Sequence, residues 1–334
     1  MILSANEATI AQAALALRDG QLLGLPTETV YGLAANATDD AAVVKIFVAK
    51  GRPADHPLIV HVAGVDQVPL FAAQVPDFAQ KLMQAFWPGP LTLILPRWSG
   101  VAATSAGGQD SIGLRCPSHP VAQALLRACL PLGVLGVSAP SANRFGRVSP
   151  TSAAHVQSEL GSDLLILDGG DCDVGIESTI IDCTRGEPVL LRPGQITRAQ
   201  VEAACGRAVR GKDAPLDVSG QAAPRASGTL ESHYAPRAKV RLMSAQDITV
   251  KLQALGPHAN NLGLWSNERP TSDQGMGSGI LWRKQAITAE QAAHDLFGVL
   301  RDLDARGVIQ IWVQQPPDTP EWEGVRDRLQ RAAA

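Results

Sequence analysis

LPTETVYGLAANATDDAAVVKIFVAKGRPADHPLIVH, residues Leu25–His61, reads as the end of a buried strand, a polar loop, a helix, a basic turn and a second strand. Its polar residues fall where the chain changes direction, and its apolar residues run into a core. The loop Pro26-Thr27-Glu28-Thr29 brings hydroxyls and a carboxylate to the end of a strand over Gln21–Leu25. The turn Lys50-Gly51-Arg52-Pro53 sets two cations just past a helix over Asp39–Ala49. Loops on a rigid scaffold are where binding groups concentrate. Hydroxyls, backbone amides and cations converging on one place predict a pocket for an anionic ligand.

Outward from this stretch, helix and strand signals alternate. Glu7–Arg18 has apolar residues at i, i+3 and i+4 spacing and stops at Gly20. Strands are predicted at Leu58–Val62, Leu91–Leu95, Ser111–Arg115, Gly133–Ser138, Leu164–Leu167, Ser178–Cys183 and Pro188–Arg192. Helices are predicted at Pro76–Phe86, Pro117–Cys129, Ser152–Leu160 and Thr197–Cys205. Helix-separated strands imply parallel pairing, whereas Ser178–Cys183 and Val189–Arg192, joined by a four-residue turn, read as an antiparallel hairpin. The expectation is an open, twisted mixed sheet with flanking helices.

From Gly206 to Arg237 the pattern breaks into a Gly-, Pro-, Ala- and Ser-rich run too long for a routine connection, which reads as an interdomain linker. Beyond it a smaller, Rossmann-like three-layer α/β pattern runs from Lys239 to a terminal helix at Glu321–Ala332. The organisation expected is therefore a domain over 1–205, a linker over 206–237 and a small α/β domain over 238–334.

Composition narrows the function. With 334 residues, 45% of them hydrophobic, the chain is long enough for two domains. A net charge of −3 supplies no basic field for nucleic acid, and 4% aromatic residues do not make a stacking platform for single strands. The N-terminus does not read as a signal peptide, and no segment approaches a membrane span. Five cysteines without a CxxC pair fit reduced thiols in a cytoplasm better than disulfides or zinc.

Neither a P-loop nor a strand-borne G-x-G-x-x-G occurs, so a phosphate site must be assembled from scattered residues. Lys50 and Arg52 either complement the helix dipole or, with Arg52 held extended by Pro53, offer a fork to an anion. His61 ends an apolar run and is either a core histidine or a ligand; His56 and His61 lack a third partner for a metal. Arg115 closes an apolar strand and needs a carboxylate, from the protein or from a ligand. Ser138–Asn143 is an ordinary polar turn or a close-approach loop with donors. Asp168–Thr179 is a solvated acidic loop or helps hold magnesium beside phosphates. Arg192 before Pro193 repeats the logic of Arg52, and Tyr234 lies within the linker. Without a triad or paired carboxylates, this inventory favours positioning and charge neutralisation, as in nucleotidyl transfer.

Seven segments in order resemble a YrdC-type domain: Pro26–Leu33, Lys50–Pro53, His56–His61, Trp87–Thr92, Ser138–Asn143, Glu177–Ile180 and Leu191–Gly194. With the linker sequence His233-Tyr234-Ala235-Pro236 and the C-terminal α/β domain, the chain resembles the two-domain L-threonylcarbamoyladenylate synthases. That resemblance implies joining L-threonine, bicarbonate and ATP into threonylcarbamoyl-AMP and pyrophosphate, with Mg²⁺ accompanying ATP and no organic cofactor. The product would pass to a tRNA threonylcarbamoyl-transfer complex for modification of adenosine 37, with weak or no direct tRNA binding. It also implies a threonine site of Thr29, His61, Arg115, Ala139 and Ser178. Around ATP it implies Lys50, Arg52, His56, Ser111, Ser141, Asn143, Ser149, Arg192 and Tyr234, with Lys50 and Arg52 catalytic; many relatives carry Asn where His56 stands. The alternatives are an RNA-binding module of the same fold and a carbamoyl-transfer enzyme using the same pocket, the latter expected inside a larger chain.

Overall fold

The computed structural model describes residues 1–212, 223–228, 233–256, 260–271 and 279–334. The expected linker thus lies partly outside the described residues. The chain divides into two compact units, one comprising Met1–Phe145 and Ser149–Thr229, the other Gly146–Val148 and Leu230–Ala334.

The first unit is built on a mixed sheet whose described strands are β1 (Ile2–Ser4), β2 (Leu23–Leu25), β3 (Gly32–Asn36), β4 (Ile59–His61), β5 (Leu91–Pro96), β6 (Ser111–Arg115), β7 (Val137–Ser138), β8 (Leu165–Asp168), β9 (Thr179–Asp182), β10 (Val189–Arg192) and β11 (Arg210–Gly211). Their order is β1-β8-β2-β3-β7-β4-β6-β5-β9-β10-β11. The hairpin β9–β10 is antiparallel, as expected. Pairing elsewhere is less parallel than helix separation suggests: β2–β3, β3–β7, β4–β7 and β5–β6 are antiparallel, while β4–β6 and β5–β9 are parallel. Strands separated by helices in the chain are often not neighbours in the sheet, so their parallel pairing could not follow.

Three strands were not expected, one of them the two-residue β11 inside the run read as linker. Ile2–Ser4 is a three-residue strand against β8. Gly32–Asn36 has no β-branched or aromatic residue and its first four residues are buried, so it carries neither the enrichment nor the alternation that marks a strand. It makes the loop after Leu25 a hairpin connection rather than the lead into a helix.

One face of the sheet packs on α2 (Asp40–Lys50), α3 (Val68–Phe71), α4 (Asp77–Phe86), α6 (Ala153–Leu160) and α7 (Arg198–Cys205). The side chains involved include Leu33, Ala35, Val60, Leu93, Leu114 and Ile181. On the opposite face, Leu23, Leu25, Ala34 and Val137 pack on α1 (Glu7–Arg18) and α5 (Pro120–Cys129). Farther along that face Ile94, Ile180, Val189 and Leu191 form a small cluster, with Ile59 and Ala226 packed against it. Strand register sets His61 beside Arg115 and Ile59 beside Gly113, so polar and apolar groups alternate across one surface.

The second unit carries a parallel sheet of β12 (Lys239–Met243), β13 (Leu262–Ser266), β14 (Ile280–Lys284) and β15 (Gln310–Gln314), in the order β12-β15-β13-β14. Leu262, Leu264 and Trp312 pack with Ile248 and Leu252 of α8 (Ala245–Leu255). On the other face, a Cβ on Gly263 would stand 3.0 Å from Leu303 of α9 (Ala289–Ala305). This is the smaller Rossmann-like α/β domain expected. No helix among the described residues is long and apolar enough to cross a membrane.

Candidate active site

The Asp39 side chain caps α2 by accepting from Ala42 N, and Gly51 ends it at φ 61°, a left-handed conformation that glycine adopts without Cβ strain. The last helical residue, Lys50, is buried rather than displayed at the helix end. Its Nζ donates to the carbonyl of Ser141 at 2.5 Å and also to that of Asn143. Burial, then the nearby Arg52 charge, drives its pKa well below the ordinary lysine value. Leu33 N to Pro140 O (2.8 Å) and Ala142 N to Tyr31 O (2.8 Å) stitch the same loop onto the β2–β3 hairpin. Ser138–Asn143 is therefore a braced loop, not an ordinary turn. Its Ala139 N donates to Ile59 O at 3.0 Å.

Past Gly51 the chain carries Arg52 across to Pro57 O (3.0 Å) and the Ser227 hydroxyl (3.2 Å), with its guanidinium 5.9 Å from the Phe145 ring centre. His56 meets the same ring edge-on at 5.5 Å. Partial burial, then Arg52, lowers the His56 pKa from its ordinary value.

Arg115 finds its carboxylate inside the protein: Nη2 lies 2.8 Å from Glu28 Oε1, and both side chains are about 5% exposed. Its Nη1 donates to Thr29 Oγ1 at 2.8 Å, and its Nε to Gly89 O at 3.4 Å. The internal partner foreseen for Arg115 is thus present, and it also orients Thr29. Burial opposes the Glu28 charge, but Arg115 outweighs it and holds the carboxyl below its ordinary value. His61 is pushed down to about 3, by burial first and by Arg115 second, so it is a neutral imidazole beside a guanidinium.

Glu28 is depressed in the folded protein, so its contribution is fully present above the ordinary value of 4.5 and is lost as pH falls through the folded value. Wild type is expected to show this acid-limb loss in chemical denaturation titrations, and Glu28→Gln to lack it. Parallel acid limbs in the two proteins would remove the assignment.

Across β5 and β9, Thr92 Oγ1 lies 2.7 Å from Ser178 Oγ. Arg192 wraps Ser178, donating to its carbonyl from Nε (3.0 Å) and Nη2 (2.9 Å) and to its hydroxyl from Nη2 (3.1 Å). Its Nη1 reaches Ser227 O at 2.9 Å. Ser149 donates to Glu177 Oε1, next to Ser178. Gly194 permits this packing, since a Cβ there would stand 2.5 Å from Thr179 N and 2.8 Å from Glu177 O. Gly194→Ala is expected to cost about 1–3 kcal/mol, because backbone must shift. Thermal melting reads the loss, and an unchanged midpoint would contradict the crowding.

A shallow, solvent-open depression with a cavity volume of about 10 Å³ is lined by Ile59, Thr92, Ile94, Ser111, Gly113 and Ile180, among others. Thirteen of the fourteen expected site residues lie in the first unit, and Lys50, Arg115 and Arg192 bind several of them into local networks. Tyr234 belongs to the second unit, buried at φ 63°, its ring 5.3 Å from Phe297 and the Arg328 guanidinium 5.4 Å from its centre. Residues joined to these networks beyond the expected site set include Thr92 and Glu177, both inside the quoted motifs, Ser227 in the linker, and Glu28, which the sequence offered only as the carboxylate of its loop. Among the described residues no group of three or more His, Cys, Asp or Glu could hold a metal. In the acidic loop, Asp168 instead accepts from Gly170 N at 3.0 Å.

A family model described as Telomere recombination matches residues 15–194, and one described as Threonylcarbamoyl-AMP synthase, C-terminal domain matches residues 196–334. The chain is 38% identical to the threonylcarbamoyl-AMP synthase of Pyrococcus abyssi over 332 residues, covering 95% of this chain and 92% of the relative. Against that of Bacillus subtilis it is 38% identical over 342 residues, covering 99% and 94%. The solved structure of Pyrococcus abyssi Sua5 complexed with L-threonine superposes with a TM-score of 0.86 at 35% identity, covering 100% of this chain and 97% of that one. The chain belongs to the threonylcarbamoyl-AMP synthase family, in its two-domain form.

Proposed function

We propose that this enzyme condenses L-threonine, bicarbonate and ATP into threonylcarbamoyl-AMP and pyrophosphate. The observation carrying this reading is that the buried Arg115–Thr29–His61 group and the Thr92–Ser178–Arg192 group rise from one sheet, with Arg52 tied to Arg192 through Ser227 and Lys50 holding the Ser141–Asn143 loop. Full-length similarity to synthases favours the enzyme over an RNA-binding module.

In the first group Arg115 meets the threonine carboxylate, while Thr29, His61, Ala139 and Ser178 line the space for its amine and hydroxyl. The neutral state of His61 suits an acceptor or donor role without adding charge. In the second, Arg52 and Arg192 face the phosphates, and Lys50 braces the Ser141–Asn143 loop that lies against them. His56, Ser111, Ser141, Asn143 and Ser149 complete the nucleotide subsite, and Tyr234 is assigned to ATP by family resemblance alone. The linker's Ser227, bonded to both Arg52 and Arg192, supports a linker lying over this subsite.

The threonine amine attacks the bicarbonate carbon, and loss of its hydroxyl with an amine proton as water gives a carbamate. A carbamate oxygen attacks the α-phosphorus, the bond to the β,γ-pyrophosphate breaks, and a mixed anhydride with AMP remains. Arginines neutralise the charge that builds on the leaving pyrophosphate. Mg²⁺ enters with ATP, as MgATP, and would supply further charge neutralisation at the phosphates. A cytoplasmic setting and hand-over of the adenylate to a tRNA-modifying complex complete the proposal.

Pyrophosphate release from purified protein with ATP and bicarbonate, supplied with each amino acid in turn, tests it. Release is expected with threonine and not with valine, its isostere without the hydroxyl. Release indifferent to the amino acid would refute it.

A further inference from the structure

Glu28 stands outside the reaction just described, yet it is buried against its most polar group. Its carboxylate lies 2.8 Å from Arg115, and its main chain is anchored, since Val174 N donates to Glu28 O at 2.7 Å. The remaining guanidinium bonds go to Thr29 Oγ1 and Gly89 O. No other acidic side chain is ion-paired with Arg115 among the described residues. The pair is therefore electroneutral before any ligand arrives, and the adjoining His61 is uncharged.

We propose that Glu28 is a specificity-determining residue that makes the amino-acid subsite electroneutral, so that it accepts a zwitterion and rejects plain carboxylate anions. The inference rests on the reading that Arg115 takes the threonine carboxylate. A ligand carboxylate that reaches Arg115 also approaches the Glu28 charge, and in a poorly solvated site that repulsion is costly. A zwitterion offsets it with its ammonium; a simple anion does not. The discrimination matters because the reaction uses bicarbonate, a small anion that an unbalanced arginine would attract into the threonine position. Specificity here comes from a repulsive element as much as from an attractive one.

Calorimetric titration of the full chain with three ligands tests this: threonine; 3-hydroxybutyrate, which is threonine without its amine; and threoninamide, which lacks the carboxylate. Wild type is expected to bind threonine at least about tenfold more tightly than 3-hydroxybutyrate. In Glu28→Gln, affinity for 3-hydroxybutyrate is expected to rise about tenfold while that for threonine falls, an opposite movement that a merely structural role would not produce. Glu28→Asp, which keeps the charge, is expected to retain the wild-type preference. If Glu28→Gln weakens both ligands alike, or moves neither, the proposal is overturned. Should that variant not fold, wild-type binding of 3-hydroxybutyrate as tight as threonine overturns it equally. Threoninamide binding as tightly as threonine to wild type would instead overturn the reading of Arg115, and this proposal with it. Weak threoninamide binding without the gain for 3-hydroxybutyrate overturns the proposal alone.

Discussion

Arg115→Ala is expected to destabilise the protein by about 3–5 kcal/mol, because it leaves the Glu28 carboxylate buried without its partner charge. The same change removes the donor to Thr29 Oγ1 and so disorders the amino-acid subsite. A second consequence is a raised threonine KM, with the ATP KM much less affected. Two measurements separate the effects: chemical denaturation for stability, and steady-state kinetics at low temperature for the folded fraction. Replacing both partners, as Glu28→Gln with Arg115→Met, is expected to recover much of the stability and none of the threonine use. A stable Arg115→Ala variant with an unchanged threonine KM would remove Arg115 from both roles.

Lys50→Met carries the second large expected effect. Methionine preserves most of the buried volume but leaves the carbonyls of Ser141 and Asn143 without the ammonium that gathers them. Charged hydrogen bonds of this kind contribute about 1.5–3 kcal/mol each. If the loop is the wall of the nucleotide subsite, kcat/KM for ATP is expected to fall by about 100-fold. A variant with normal ATP kinetics would mean that Lys50 serves the scaffold only.

Much of this was legible in the sequence because the site is built from short, dense motifs at strand ends. Arg115 announced itself as a charge closing an apolar strand, and Arg192 as a cation fixed by a following proline. The helix expected over Asp39–Ala49, between the polar loop and the basic turn, is present as Asp40–Lys50. What was not legible depends on contacts far apart in the chain. Gly32–Asn36 became a strand because neighbours cover both of its faces, not because its residues prefer one. Glu28 read as one more loop carboxylate until β6 brought Arg115 to it. Ser227 sits in a run without periodicity, and only the fold sets it against Arg52 and Arg192. Lys50 looked like a helix-end charge, while its burial under the Ser141–Asn143 loop reverses that reading.

These networks make one prediction that outranks the others: two adjoining subsites on a single sheet join an amino acid to a nucleotide through a carbon from bicarbonate. Incubating the purified chain with ATP, threonine and carbon-labelled bicarbonate, then identifying the labelled product by mass, measures this directly. The expected result is label in a threonine-containing adenylate, formed with one pyrophosphate per product and lost when threonine is omitted. Label absent from the adenylate, or pyrophosphate released without threonine, would contradict it.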